Sequence, residues 1–231
     1  MPISTDHPAP DLRVLVFSKT AGFRHSSIPD GVKSIQAMGR THGFDVHATE
    51  DAAYFNDAML PNYDAVIFLS TTGDVLDGEQ QDAFERYIQS GGGYVGVHAA
   101  SDTEYEWPWY GKLVGAYFLG HPAIQDATIR VLDREHISTN MLPGEWPRRD
   151  EWYNFRAKPG HVHVLADLDE TTYQGGTMNN DHPIAWCHEF DGGRGFYTAG
   201  GHTEESFAED LFLRHLAGGI YWASGRTHMP E

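Results

Sequence analysis

What is scarce in this chain of 231 residues sets the first limits. There is a single cysteine, Cys187, so no intramolecular disulfide can form, and a zinc site built from several thiolates is excluded. Basic side chains are few, 16 Lys and Arg against 33 Asp and Glu, which gives a formal charge of −17. That balance disfavours nucleic acid and anionic membrane surfaces as partners. No stretch approaches the ~18 apolar residues of a membrane span, and the N-terminal MPISTDHPAPDLRVLVF lacks a basic segment followed by a long apolar one. We therefore expect a cytoplasmic protein with no membrane partner; a homo-oligomer is compatible with these features. Internal repeats, low-complexity tracts and long linkers are also missing. Residues 12–225 are expected to fold as one domain between a flexible N-terminal tail (1–11) and a short C-terminal tail (226–231).

What is there is an alternation. Leu12 to Phe17, Phe44 to Thr49, Ala65 to Leu69 and Tyr94 to Val97 are short apolar runs of the kind found in buried parallel strands. Between them, Ile28, Val32, Ile35 and Met38, and later Phe84, Tyr87 and Ile88, recur at helical spacing. Ser27 is placed to cap the first helix, with Pro29 in its first turn and Gly43 at its end. The second helix is expected over Asp77 to Ser90. The pattern predicts an α/β fold, a doubly wound, mostly parallel sheet with helices on both faces, flavodoxin-like in outline. Gly91-Gly92-Gly93 follow a helix and precede a strand, the reverse of a phosphate-binding loop, and so end the helix. Further on we expect a short helix from about Glu106 to Phe118, broken by Gly120-His121-Pro122. Strands are expected at Ala127 to Leu132, His161 to Leu168, Pro183 to Phe190 and Gly195 to Ala199, then a last helix from Ser206 to Trp222. The connection between Leu132 and His161 is expected to be long and irregular.

Chemistry concentrates where strands end, because the ligand crevice of an open α/β sheet lies outside the carboxyl ends of its strands. His98, Ser101 and Asp102 follow one strand; an imidazole there can give or take a proton near neutral pH. His202-Thr203-Glu204 follow another, and on an extended segment Glu204 would share a face with His202 and orient it. Arg24 and His25 precede a helix N-terminus, and His121 and His182 stand at loop starts. His25, His121 and His202 could hold a divalent metal, although the close spacing of an HExxH motif is missing and nothing in the sequence requires a cofactor. Tyr105 to Tyr110 and Asp150 to Tyr153 combine flat aromatic faces with carboxylates, a mixture that suits a sugar ring as well as ordinary packing. Cys187 lies within a strand and reads as a core residue.

Together, KTAGFRHSSI (Lys19 to Ile28), GVHAASDTEYEWPWY (Gly96 to Tyr110), GAYFLGHP (Gly115 to Pro122), DEWYNF (Asp150 to Phe155), HPIAW (His182 to Trp186) and GRGFYTAGGHTEESF (Gly193 to Phe207) resemble the ThuA-like trehalose-utilisation family. The resemblance spans about Leu12 to Gly225 and implies a class I glutamine amidotransferase-like fold. That wider fold uses a Cys-His-Glu triad, with cysteine at the elbow after a strand. In this sequence His202-Thr203-Glu204 resembles its His-x-Glu, but the elbow holds His98, which cannot reproduce a thiolate nucleophile. The resemblance implies carbohydrate metabolism alongside a sugar dehydrogenase that oxidises carbon 3. The expected enzyme is an isomerase, lyase or hydrolase acting on a 3-keto disaccharide or glycoside, and not a glutamine amidotransferase. His98 would be the base, Asp102 and Glu204 would orient it or act as acids, and His25, His121 and His202 would polarise sugar oxygens. Lys19, Arg24, Trp107, Tyr110, Glu151 and Trp152 would line the binding walls. The alternatives are a non-catalytic carbohydrate-binding or regulatory module, and a metal-dependent hydrolase.

Overall fold

A computed structural model describes residues 12–229; the expected N-terminal tail and the last two residues lie outside the described residues. The strands are β1 (Arg13–Phe17), β2 (Asp45–Thr49), β3 (Ala65–Leu69), β4 (Gly93–Val97), β5 (Phe118–Gly120), β6 (Gln125–Val131), β7 (Glu145–Asp150), β8 (Asn154–Phe155), β9 (His163–Leu168), β10 (Pro183–Phe190) and β11 (Gly193–Thr198). The α-helices are α1 (Ile28–His42), α2 (Gly78–Gln89), α3 (Pro108–Val114) and α4 (Asp210–Ala223). Nine strands form one sheet in the order β2-β1-β3-β4-β11-β10-β9-β6-β7, and β5 pairs with β8 apart from it. The first five run parallel; from β11 onward the pairs are antiparallel. The sheet is thus mixed, with its parallel half in the flavodoxin-like order.

Both faces of that half are covered, as alternation along a strand requires. Phe68 of β3 stacks on Phe84 of α2 at 5.5 Å and tilts against Tyr110 of α3 at 5.6 Å. Its neighbour Leu69 faces the other way, where a Cβ on Gly31 of α1 would come within 3.0 Å of it. α4 packs beside α1 on this second face. The helix ends follow local chemistry. Asp77 and Gln80 form a reciprocal capping box at α2, and Gly43 closes α1 in the left-handed conformation, φ 79°. Ser27 does not cap α1 as expected; its hydroxyl instead donates to Gly201 O (3.2 Å), tying the start of α1 to the end of β11.

The later part of the chain departs from expectation in two places. α3 ends before Gly115 rather than near Phe118, because Gly115 takes φ 92°, and a side chain is excluded there by the indole Nε1 of Trp186, 2.5 Å from where a Cβ would be. The stretch between β6 and β9 is not irregular: it contains β7, which pairs with β6 as a hairpin partner. Pro147 is tolerated because β7 is the sheet's edge strand.

β7 also shows that the antiparallel half rolls up. Four strand spacings of about 4.8 Å would set β7 roughly 19 Å from β11 in a flat sheet. Yet Asp150, the last residue of β7, accepts a hydrogen bond from Gly201 N, just past β11, at 2.8 Å. The inside of the roll is filled by Trp146 and by His215 of α4, whose rings lie 6.0 Å apart.

His215 is buried, pairs through Nδ1 with Ser138 O (3.0 Å), and is held down to about 4 by burial. An imidazole kept neutral in the fold stabilises it fully above the unfolded value of about 6.5, and the contribution is lost as pH falls from there toward 4. We expect the unfolding free energy from urea denaturation to fall between pH 6.5 and 4, by roughly 3 kcal/mol at most from His215. In His215→Gln the slope over that window should be visibly shallower; an unchanged slope would place the acid sensitivity elsewhere.

Candidate functional site

Four segments each deliver one polar side chain to one point. β1 leads through a loop to His25, β4 ends at His98, β7 ends at Asp150 with Glu151 next, and β11 leads through Ala199-Gly200-Gly201 to His202. One ligand atom each from His25, His98, Glu151 and His202 lies within 4.8 Å of the others.

His98 stands at a sharp strand-to-helix turn with φ 51°, a left-handed conformation that costs a residue with a Cβ about 1–2 kcal/mol and is held by its surroundings. Its Nδ1 donates to Ala199 O (2.8 Å), which leaves Nε2 as the lone-pair nitrogen. That Nε2 lies 3.1 Å from His202 Nδ1 and 3.5 Å from Glu151 Oε2. Tyr153 covers the ring at a centroid distance of 4.1 Å.

Glu151 is the centre of the arrangement. Oε2 faces His202 Nδ1 at 3.1 Å, and Oε1 lies 2.9 Å from His121 Nδ1, which pairs with Pro122 O at 3.0 Å. Burial favours its neutral form, yet the hydrogen bond from His202 and the proximity of His98 outweigh this and hold the carboxyl down to about 2. Burial likewise works against a charged His202, but the bond to Glu151 prevails and raises its pKa. His25 goes the other way: burial, then the neighbouring His98 and His202, push it down to about 3. Its ring stands edge-on to both, at 4.8 and 5.1 Å. Its Nδ1 is buried with no hydrogen-bond partner among the described residues, an unusual condition for a polar atom.

The scaffold beneath is a buried ion pair. Asp150 accepts from Gly201 N (2.8 Å), His202 N (3.1 Å), Glu151 N (2.9 Å) and Ser206 Oγ (2.9 Å). Arg148 approaches the same carboxylate at 3.2 Å, reaches Glu209 at 3.1 Å, and lies over the ring of Phe212 at 4.6 Å. Behind Tyr153, His182 Nε2 donates to the Tyr153 carbonyl (2.8 Å) and Nδ1 meets Glu170 (3.0 Å). His182 therefore supports the loop carrying Glu151 rather than entering the cluster.

The family model for trehalose utilisation matches residues 13–223. This chain belongs to the ThuA family. Among solved structures it is similar to a ThuA-like protein from Bacteroides uniformis, with 24% identity and a TM-score of 0.81 over 96% of this chain and 95% of that one. A ThuA-like protein from Parabacteroides merdae gives 20% identity and a TM-score of 0.80 over 95% and 92%. A β-galactosidase from Bacillus circulans, 14% identical, shares the fold over 96% of this chain but only 33% of its own, with a TM-score of 0.62. No curated protein sequence matches the chain significantly. Among the described residues, no helix is long and apolar enough to cross a membrane.

Within this ThuA-family chain the residues singled out from sequence separate into two groups. His25, His98 and His202 meet, with His121 at the rim, its side chain 42% exposed. Glu151, expected in a binding wall, is instead the shared carboxylate. Glu204 does not orient His202: the backbone at Glu204 is already helical (φ −61°, ψ −35°), so the two side chains do not share a face, and Glu204 accepts from Ser26 Oγ. Asp102 accepts from Tyr105 OH (2.5 Å), and Ser101 accepts from Tyr197 OH (2.9 Å). Lys19 donates to Val75 O (2.8 Å), and Arg24 pairs with Glu50 on the surface. Trp107, Tyr110 and Trp152 are core residues, each tied by a polar atom to Glu85, Ala100 O and Gln125 O. Cys187 is buried in β10, its thiol pushed up to about 12 by burial. Sequence reasoning missed Phe23, an exposed ring lying edge-on to His25 at 4.9 Å, and the anchoring role of Asp150. The cue for Phe23 was a large aromatic in a polar loop beside a histidine.

Removing one partner of a buried, hydrogen-bonded pair leaves the other charge uncompensated, at a cost of about 3–5 kcal/mol. Asp150→Asn should therefore lower unfolding stability by roughly that amount. Urea denaturation at neutral pH measures it; a loss below about 1 kcal/mol would show that the pair does not hold the loops.

Proposed function

We propose that this chain is a cytoplasmic enzyme of carbohydrate metabolism that acts on an oxidised sugar, a 3-keto disaccharide or glycoside supplied by a sugar dehydrogenase. The observation that carries this reading is the Glu151 carboxylate, buried and shared by imidazoles, two of which, His121 and His202, are partly open to solvent. Membership of the trehalose-utilisation family supports a carbohydrate substrate.

A carbonyl at carbon 3 acidifies the neighbouring C2–H, so the chemistry needs a base, an acid and a polarising environment for the developing enolate oxygen. We assign proton transfer to His121 rather than His98, because His98 is fully buried with both ring nitrogens engaged. His121 takes the C2 proton, its charge compensated by Glu151 Oε1. The C–H electrons form the C2 double bond as the glycosidic C1–O bond breaks, and the same proton returns to the departing oxygen. Atoms and charge balance, and no redox cofactor is consumed. Protonation back on carbon without C1–O cleavage gives isomerisation instead. His202, His98 and His25 surround the point where the carbonyl oxygen would be polarised. Phe23 offers an exposed apolar face for the C–H side of a sugar ring.

A second reading is a carbohydrate-binding module without catalysis, favoured by one observation: the same fold occurs as a third of a β-galactosidase chain. Incubation with 3-keto-trehalose, read by product chromatography, separates the two. We expect turnover by the wild type, a loss of about 10²-fold or more in kcat for His121→Asn, and a rise of about tenfold in KM with kcat retained for Phe23→Ala. Tight calorimetric binding of the sugar without turnover would replace the first reading by the second.

A further inference from the structure

We propose that His25, His98, His202 and Glu151 form a divalent transition-metal site, a deepening of the reading above that assigns the polarising role to a bound ion. The donor set is three imidazole nitrogens and one carboxylate oxygen, a combination suited to zinc and its neighbours. Ligands of a tetrahedral ion with bonds of about 2.0–2.1 Å stand roughly 3.3 Å apart. Three of the separations are already 3.1, 3.1 and 3.5 Å, and no two ligand atoms are more than 4.8 Å apart. Closing this set around an ion takes only small side-chain rotations.

Independent features point the same way. His25 Nδ1 is buried and has no hydrogen-bond partner among the described residues, the residue being only 4% exposed. A buried nitrogen of this kind is costly unless something binds it. His98 shows the arrangement of a metal-bound imidazole, with Nδ1–H held by a backbone carbonyl and Nε2 turned inward. Glu151 and His202 are both fixed through their backbone N–H groups by Asp150, so the ligands are positioned before an ion arrives. The set differs from one built on His25, His121 and His202: His121 lies beside the outer oxygen of Glu151, pairs through Nδ1 with Pro122 O, and stays at the open side. An ion here would expand to five-coordinate to take one oxygen of an oxidised sugar on that open side.

The full-length protein, stripped with a chelator and then titrated with zinc or cobalt(II) alone, tests the assignment. Calorimetry and elemental analysis should give one ion per chain, and cobalt should produce the visible absorption of a four- or five-coordinate nitrogen–oxygen site. Glu151→Gln and His202→Ala should each weaken binding by about tenfold or more, and the surface variant His163→Ala should bind as the wild type does. Glu151→Gln is nearly isosteric, and circular dichroism identifies any variant that has not folded. Binding well below one equivalent, or uptake that the paired His25→Ala and His202→Ala changes leave intact in a folded protein, would overturn the site. Because these measurements use no sugar, a metal-loaded protein inert toward 3-keto-trehalose would sink the substrate reading and leave the metal site standing.

Discussion

The Asp150 carboxylate is the interaction on which the site depends. It receives three backbone N–H groups, one hydroxyl and a guanidinium, so its buried charge is fully compensated. A pair of this kind adds little net stability compared with apolar packing, because two ions must be desolvated to form it. What it supplies is position. It joins the end of β7 to the residues after β11, two segments that a flat sheet would hold far apart, and so fixes Glu151 against His202. Gly200 and Gly201 belong to the same constraint. A Cβ on Gly200 would lie 2.4 Å from Arg148 Nη1, and Gly201 has φ 109°.

The elbow after β4 shows how one backbone device serves different chemistry. A strand that turns sharply with a left-handed residue presents its first side chain at the sheet's carboxyl edge, whatever that side chain is. With a thiol there, as the wider fold uses, the device presents a nucleophile. With His98 it presents a nitrogen lone pair whose tautomer is set by Ala199 O. The chain's one thiol, Cys187, is buried in a strand and held protonated by that burial, so the nucleophile has not been relocated. An imidazole at this elbow cannot act as a thiolate nucleophile; in the proposed site it offers a nitrogen ligand instead.

How much of this was legible in the sequence depended on where the buried residues are apolar. β1, β3 and β4 are short apolar runs closed by glycine or polar residues, and the structure reproduces them within a residue. β7, GluTrpProArgArgAsp, alternates just as regularly, with Trp146, Arg148 and Asp150 inside. Two of those three carry charge, so hydrophobic patterning could not reveal the strand, and Pro147 argued against it. The histidines were legible because each follows a strand or precedes a helix. Glu151 was not recognised as their partner, since it arrives through the roll of the antiparallel half, a long-range consequence of the ion pair. Glu204 misled for a local reason: extended spacing was assumed where the chain had begun to turn. Trp107, Tyr110 and Trp152 were read as walls because aromatic residues near carboxylates suit a sugar, but their polar atoms find internal partners and their rings fill the core.

The charge balance of the cluster ties its parts together. Three imidazoles packed at ring distances near 5 Å cannot all carry protons, and His25 is accordingly held neutral. One carboxylate, Glu151, is enough to compensate either a single imidazolium or one of the two charges of a divalent ion. In the second case three neutral nitrogens and one carboxylate leave a residual charge of about +1 at the open side. That is the complement of an enolate, which carries one negative charge where a 3-keto sugar carries none. A second carboxylate bonded into the cluster would cancel this preference; Glu204 favours a charged His202 only at a distance, its hydrogen bond going to Ser26.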